Sequence, residues 1–237
     1  MSRPQLFCFT YAGGNKTFFN DIEKDLNGID VVKLEYAGHG ERRKEDFYKS
    51  FYSLADDMFQ AVKDRAVGSY ALFGYSMGSI AAVEVLRRII AVQSKCVNNI
   101  QLPSHIFLAA HEPHTKSELL GFTSDEIDEW VMKKILEFGD VPQKLVNNSV
   151  FWKIYLPLYR ADYMLIGKYD FEKLSGFRTE IPTTVFYSET DTPLRNMREW
   201  GKYFKGAVEY EEYAGKHFFI KEYHKPMAEL IKKKLLY

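Results

Sequence analysis

Six short apolar runs separated by helical patterns predict an α/β fold, a mostly parallel sheet with helices on both faces. A second observation places a sharp turn at its centre. Leu72-Phe73 runs into Gly74-Tyr75-Ser76-Met77-Gly78, and helical periodicity follows from Ile80 to Ile90. The third observation is a lapse in the alternation: residues 111–176 offer no convincing strand and are rich in Trp, Tyr, Phe, Leu and Met at helical spacing. Structureless loops of that length are uncommon inside compact domains, so this stretch is expected to be a helical lid inserted into a single domain spanning 1–237.

In chain order, residues 5–11 form an apolar strand that stops at Ala12-Gly13-Gly14. Asn15 then caps a helix in which Phe18, Phe19, Ile22 and Leu26 recur, and Gly28 ends it. A second strand over 31–36 leads into Ala37-Gly38-His39-Gly40-Glu41-Arg42, and a helix over 53–63 leads to the third strand, 70–73. Residues 105–110 make a fourth strand. Inside the lid, Thr123-Ser124-Asp125-Glu126 is a capping box for a helix carrying Ile127, Trp130, Val131, Ile135 and Leu136. A further helical run from Val150 is expected to break at Pro157 and resume through Tyr163. Alternation returns with a strand over 183–187, a helix over 195–204, a strand over 208–213 and a last helix over 226–236.

Composition narrows the functional classes. Lys plus Arg and Asp plus Glu both number 32, so the net charge is zero and a nucleic-acid partner is disfavoured. No run of about eighteen apolar residues offers a membrane span, and the amino terminus enters a strand without a signal peptide. A cytoplasmic monomer is expected. Cys8 and Cys96 lack metal-ligand spacing and read as free thiols, and neither a metal nor a cofactor is expected. Aromatic residues make up 16% of the chain, more than a minimal core needs, which points to an apolar cavity.

The G-x-S-x-G between strand and helix is a nucleophile elbow. It raises the Ser76 hydroxyl above the sheet and aims the Met77 N–H, at a helix start, at the space of a substrate carbonyl. A serine hydroxyl needs a base and a group to orient that base. His217, in Gly215-Lys216-His217-Phe218 just past the last strand, is the candidate base among six histidines. His39 is placed as a substrate contact, and His105, His111, His114 and His224 are less well situated. After the fifth strand, Ser188-Glu189-Thr190-Asp191-Thr192-Pro193 offers two carboxylates, of which Asp191 is the chosen acid. The order Ser, Asp, His is that of α/β hydrolases. The second oxyanion donor is expected from Ala12, because the two glycines after it let backbone approach a substrate closely.

These residues together resemble the type II (external) thioesterases that accompany nonribosomal peptide synthetases and polyketide synthases. The resemblance spans nearly the whole chain and rests on Phe9-Thr10-Tyr11-Ala12-Gly13-Gly14, Tyr36-Ala37-Gly38-His39-Gly40-Glu41-Arg42, the elbow, Arg160-Ala161-Asp162-Tyr163 and Gly215-Lys216-His217-Phe218. It implies an α/β-hydrolase fold, with Ser76 as nucleophile, Asp191 as acid, His217 as base, and Ala12 and Met77 as oxyanion donors. It also implies hydrolysis of acyl or aminoacyl thioesters carried on the phosphopantetheine arm of a transiently bound acyl or peptidyl carrier protein. Arg42, Arg43, Lys44, Lys133, Lys134 and Arg160 are candidate docking cations for such a carrier. The elbow departs from the family's commoner G-H-S-M-G-G at Tyr75 and Ser79, with Tyr75 expected in the pocket wall. Two alternatives share parts of the pattern: a small-molecule carboxylesterase, since the same machinery cleaves oxygen esters, and a non-catalytic binding protein, which would not need a base and an acid.

Overall fold

The computed structural model describes residues 3–94, 100–113, 119, 121–139 and 141–237; Cys96 and His114 lie outside them. Six strands form one sheet in the order β2-β1-β3-β4-β5-β6. They are β1 (Gln5–Phe9), β2 (Asp30–Lys33), β3 (Tyr70–Tyr75), β4 (His105–Ala109), β5 (Thr183–Tyr187) and β6 (Val208–Glu212), and every pairing is parallel. The middle strands β3, β4 and β5 are buried along their whole length, as the unbroken apolar runs require when both faces are covered. Outer strand β6 instead carries Glu209, Glu211 and Glu212, charges that discourage pairing with another chain.

Helices α1 (Asn20–Asp25) and α7 (Ile220–Leu236) cover one face, burying Ile22, Ile220, Met227, Ala228 and Ile231 against Leu6, Phe73 and Phe107. On the other face lie α2 (Phe51–Arg65), α3 (Met77–Gln93) and the short α6 (Leu194–Met197), which close over Phe7, Leu72, Leu108 and Val185 with Trp200. Element boundaries shift from the sequence expectation where caps decide them. Asn15 does cap, its side chain accepting from Thr17 N, but a turn of 3-10 helix intervenes before α1. The expected helix over 195–204 is likewise divided between α6 and a 3-10 turn over Arg198–Lys202. Helix α7 begins six residues ahead of Pro226 and contains a non-helical Tyr223 three residues before that proline.

Between β4 and β5 the described residues hold α4 (Ser124–Phe138) and α5 (Ser149–Gly167), with short 3-10 turns around them. Thr123 and Glu126 form the capping box at the start of α4. Ile127, Val131 and Ile135 of α4 meet Trp152 and Tyr159 of α5 in a small apolar cluster separate from the main core, whereas Leu136 turns outward. The expected break at Pro157 is corrected: α5 runs through it as one 19-residue helix. Pro157 and Lys153, whose carbonyl loses its helical donor, are both exposed, so water can take the place of the missing N–H.

Strand order decides where a ligand can sit. From β1 the chain moves outward to β2 and then crosses back to β3 on the other side, so the loops after β1 and β3 diverge and leave a crevice at the carboxyl edge. Packing there is close. A β-carbon on Gly78, in the first turn of α3, would stand 2.0 Å from the Phe9 carbonyl oxygen, and one on Gly74 would stand 2.2 Å from the Gly78 carbonyl oxygen. Both obstacles are backbone. Gly78→Ala is therefore expected to lower the free energy of unfolding by about 3 kcal/mol or to prevent folding, read by urea denaturation. An unchanged midpoint would mean that α3 can retreat from β1.

Candidate active site

The elbow holds Ser76 at φ 54, ψ −122, a left-handed conformation that a non-glycine residue adopts only when its surroundings enforce it. Here they do. Ser76 N–H donates to the Ala109 carbonyl at 2.7 Å, and Ser79 N–H to the Ser76 carbonyl at 2.8 Å. Beneath the turn, the buried Ser79 hydroxyl lies 3.0 Å from the carbonyls of both Gly74 and Ala109 and accepts Ala109 N–H at 3.1 Å. The departure from glycine at this position thus adds a hydroxyl that pins the elbow to β4.

Ser76, His217 and Asp191 come together in one hydrogen-bonded line. His217 Nε2 lies 3.0 Å from Ser76 Oγ, while Nδ1 faces Asp191 Oδ2 at 2.9 Å and Oδ1 at 3.1 Å. The carboxylate can only accept, so Nδ1 carries the proton and Nε2 presents its lone pair to the serine hydroxyl. The choice between the two carboxylates of this loop is explained by their partners: Glu189 Oε1 accepts Leu194 N–H at the start of α6, at 3.0 Å, and is thereby turned away from the imidazole. The Asp191 and His217 loops are also stitched together. Thr190 Oγ1 donates to the Gly215 carbonyl at 2.6 Å, and Ser188 Oγ donates to the same oxygen.

Tyr75 is corrected from pocket wall to support. Its side chain is buried, and its hydroxyl donates to the His217 backbone carbonyl at 2.6 Å, so the residue before Ser76 holds the loop that carries His217. His39 is corrected as well. Its ring is buried and bonded to Asp162 Oδ2 at 2.8 Å and to the Ala37 carbonyl at 3.0 Å. It does not line the cavity beside Ser76. His105 bonds Thr184 at 2.9 Å and His224 bonds Asp25 at 2.7 Å, both in the body of the fold. Burial lowers the pKa of His111 to about 4, so this ring in the cavity wall is too weakly basic to rival His217.

The cavity beside Ser76 has a volume of about 270 Å³. Ala12, Ser76 and His217 form its reactive end, and Trp130, Phe138, Tyr163 and Ile166 from the inserted helices supply apolar wall. Sequence reasoning missed Phe138, the last residue of α4, whose ring stacks on the His217 imidazole with centroids 4.1 Å apart. As first residue of α3, Met77 has an N–H without an intrahelical acceptor, and Ala12 borders the same space.

A serine, a histidine and an aspartate aligned at the crevice of a parallel sheet are the working parts of a serine hydrolase. Residues 4–235 match the thioesterase domain family, so the chain belongs to that family and is a thioesterase by class. The S-acyl fatty acid synthase thioesterase, medium chain, of Rattus norvegicus is 28% identical over 223 residues, covering 91% of this chain and 81% of its own. Gramicidin S biosynthesis protein GrsT of Aneurinibacillus migulanus is 25% identical over 238 residues, covering 99% and 90%. Among solved structures, ClbQ from the colibactin NRPS/PKS pathway superposes with a TM-score of 0.86 at 21% identity, over 99% of this chain and 98% of that one. The type II thioesterase BorB from the borrelidin biosynthetic cluster does so with 0.83 at 24% identity, over 99% and 93%. Both likenesses show the α/β-hydrolase fold.

If Asp191 orients the imidazole, Asp191→Asn should lower kcat by about 10³-fold or more, while Glu189→Gln stays within about threefold. Steady-state kinetics of the two variants decide between the carboxylates, and the reverse ranking would overturn the assignment.

Proposed function

We propose that the chain is a type II thioesterase that removes acyl or aminoacyl groups from the phosphopantetheine arms of carrier proteins serving nonribosomal peptide or polyketide synthesis. The observation that carries the chemistry is the Ser76–His217–Asp191 alignment at the mouth of a largely apolar cavity. Support for the biological setting comes from the names of the relatives, GrsT among them.

In this reading Ser76 Oγ attacks the thioester carbonyl carbon as His217 Nε2 takes its proton. The oxygen of the tetrahedral intermediate gains negative charge and is held by the N–H groups of Ala12 and Met77. The carbon–sulfur bond then breaks, and His217 returns the proton to the departing thiol. Water, deprotonated by the same nitrogen, attacks the acyl-serine and releases the carboxylic acid and the free serine. The helical insertion serves as a lid, with Phe138 and Trp130 shielding the acyl group from bulk water.

The rat relative favours a second reading with the same chemistry, in which the acyl group is a medium-length fatty chain. Mass spectrometry of a panel of acylated carrier proteins separates the two. Ser76→Ala should abolish turnover on all of them without loss of fold, and a fluorophosphonate should label wild-type Ser76. A wild-type protein that cleaves matched oxygen esters with higher kcat/KM than acyl-pantetheine thioesters would be a carboxylesterase instead.

Carrier docking draws on fewer cations than the sequence suggests. Arg42 is bound to Glu45 and Asp57, Arg160 to Asp128, and Lys133 and Lys134 approach Glu137. Arg43 and Lys44 are left without an ion pair among the described residues. Substituting both with Gln should lower kcat/KM on an acylated carrier by about fivefold at low salt, with less effect at about 0.5 M salt and none on free acyl-pantetheine. Equal losses on both substrates would remove these two cations from the docking surface.

A further inference from the structure

Asp162 of α5 reaches across to two loops at the carboxyl edge of the sheet. Its Oδ2 accepts Gly13 N–H at 2.7 Å and lies 2.8 Å from His39 Nε2, joining residues 149 and 123 positions apart. The imidazole and the carboxylate are both almost wholly buried. His39 Nδ1 in turn faces the Ala37 carbonyl at 3.0 Å. Neither acceptor has a proton to give, so the ring satisfies both only as the imidazolium, and the pair is a buried ion pair.

Gly13 belongs to a turn closed by Gly14 N–H on the Tyr11 carbonyl at 3.0 Å, and its φ is 82. A positive φ at this third position makes the turn type II, which differs from type I by rotation of the central peptide through about 180°. In the rotated form the Ala12 carbonyl oxygen, not the Gly13 N–H, would face the Asp162 carboxylate. The carboxylate therefore fixes the Ala12–Gly13 peptide and ties the turn that carries Ala12, a residue of the cavity wall beside Ser76, to α5. A second contact acts in the same sense. The Tyr159 ring, one turn before Asp162 on α5, fills the space over Gly13 so closely that a β-carbon there would stand 2.0 Å from it.

We propose that His39 and Asp162 are positioning residues, whose ion pair anchors the turn from Tyr11 to Gly14 against α5 and so holds Ala12 in place to serve as an oxyanion donor only while α5 is seated. The proposal rests on the thioesterase reading of the Ser76 site. It also carries a pH signature. Burial alone would lower the His39 pKa, but the Asp162 charge and hydrogen bond, the Ala37 carbonyl and the nearby Glu35 outweigh it and leave the value raised above 6.5. Tyr36 and Phe47 complete the surroundings as edge-on rings at 5.7 and 6.4 Å. The lock is thus intact at low pH and released as pH rises through the folded His39 value. Activity should therefore show an alkaline limb that belongs to His39.

The test compares Asp162→Asn, His39→Ala and His39→Gln in the whole chain, with thermal melts to check folding. Asp162→Asn should lose about 10²-fold in kcat with KM within about twofold, the scale of one lost oxyanion donor. A single oxygen serves both His39 and Gly13, and an amide cannot both replace it and balance the buried imidazolium. His39→Ala should lose a similar factor. His39→Gln, which places an amide N–H where Nε2 stood, should recover at least about tenfold of that loss and show no alkaline limb. The rate at which a fluorophosphonate phosphonylates Ser76 should follow the same ranking, since its transition state uses the same donors. Wild-type kcat and labelling rate in Asp162→Asn, or an alkaline limb surviving in His39→Gln, would overturn the proposal. Should the wild type label at Ser76 yet leave thioesters intact, the functional reading fails, and the labelling ranking still decides the lock. Should Asp162→Asn not fold, the two His39 variants decide it.

Discussion

The closeness of α3 to the end of β1 is the constraint on which the site depends. With Gly78 against the Phe9 carbonyl, the first turn of α3 starts directly over the switch between β1 and β3, and Ser76 just before it takes a strained conformation. The strain is held by bonds on every side: Ala109 takes the Ser76 amide, and Ser79 ties Gly74 to β4. These bonds hold Ser76, the Met77 amide and the end of β1 in a fixed relation, the kind of arrangement that preorganised catalysis requires.

Two buried histidines near this point meet carboxylates, yet their chemistry differs, and the difference lies in the second nitrogen. His217 has a carboxylate on Nδ1 and a hydroxyl on Nε2, and a hydroxyl can donate, so Nε2 is free to present a lone pair to Ser76. His39 has a carboxylate on one side and a carbonyl on the other. Both demand protons, so this ring has no lone pair to offer. One residue type thus can offer a lone pair in one place and must carry two protons in the other, decided by its partners' hydrogen-bonding capacity.

Short-range patterning controls the features that were legible in the sequence. Unbroken apolar runs marked the buried strands, and the glycines around Ser76 marked the elbow because only backbone contact demands them at both positions. His217 and Asp191 were readable from chain order after particular strands, and the structure brings both to Ser76. The features that escaped depend on long-range pairing. Asp162 and His39 stand 123 residues apart, and nothing local shows that they pair until α5 meets the loop after β2. Tyr75 reads as wall or core with equal ease, since its hydroxyl acceptor is a backbone atom 142 residues away. The pairing of Arg42 and Arg160 could not be read locally either, because their acidic partners Asp57 and Asp128 lie on other elements or outside the motif. Pro157 misled for a different reason: a proline breaks a helix only when the freed carbonyl is denied water, and exposure is a tertiary property.

The inserted helices bear on the reaction at two points, and this limits how they can act as a cover. Phe138 of α4 stacks on the base, while Asp162 and Tyr159 of α5 hold the turn beside the nucleophile. Were both helices to swing away as one body, the site would lose the support of its oxyanion turn in the same motion that admits substrate, and a buried imidazolium would be left without its counterion, which costs several kcal/mol. The contacts of α4 with the site are of another kind: apolar rings that exchange their neighbour for an acyl chain at little cost. The Arg160–Asp128 ion pair joins the two helices but is partly exposed and correspondingly weak. If the proposed lid opens, a movement of α4 over a seated α5 would uncover the cavity while leaving the contacts of Asp162 and Tyr159 in place.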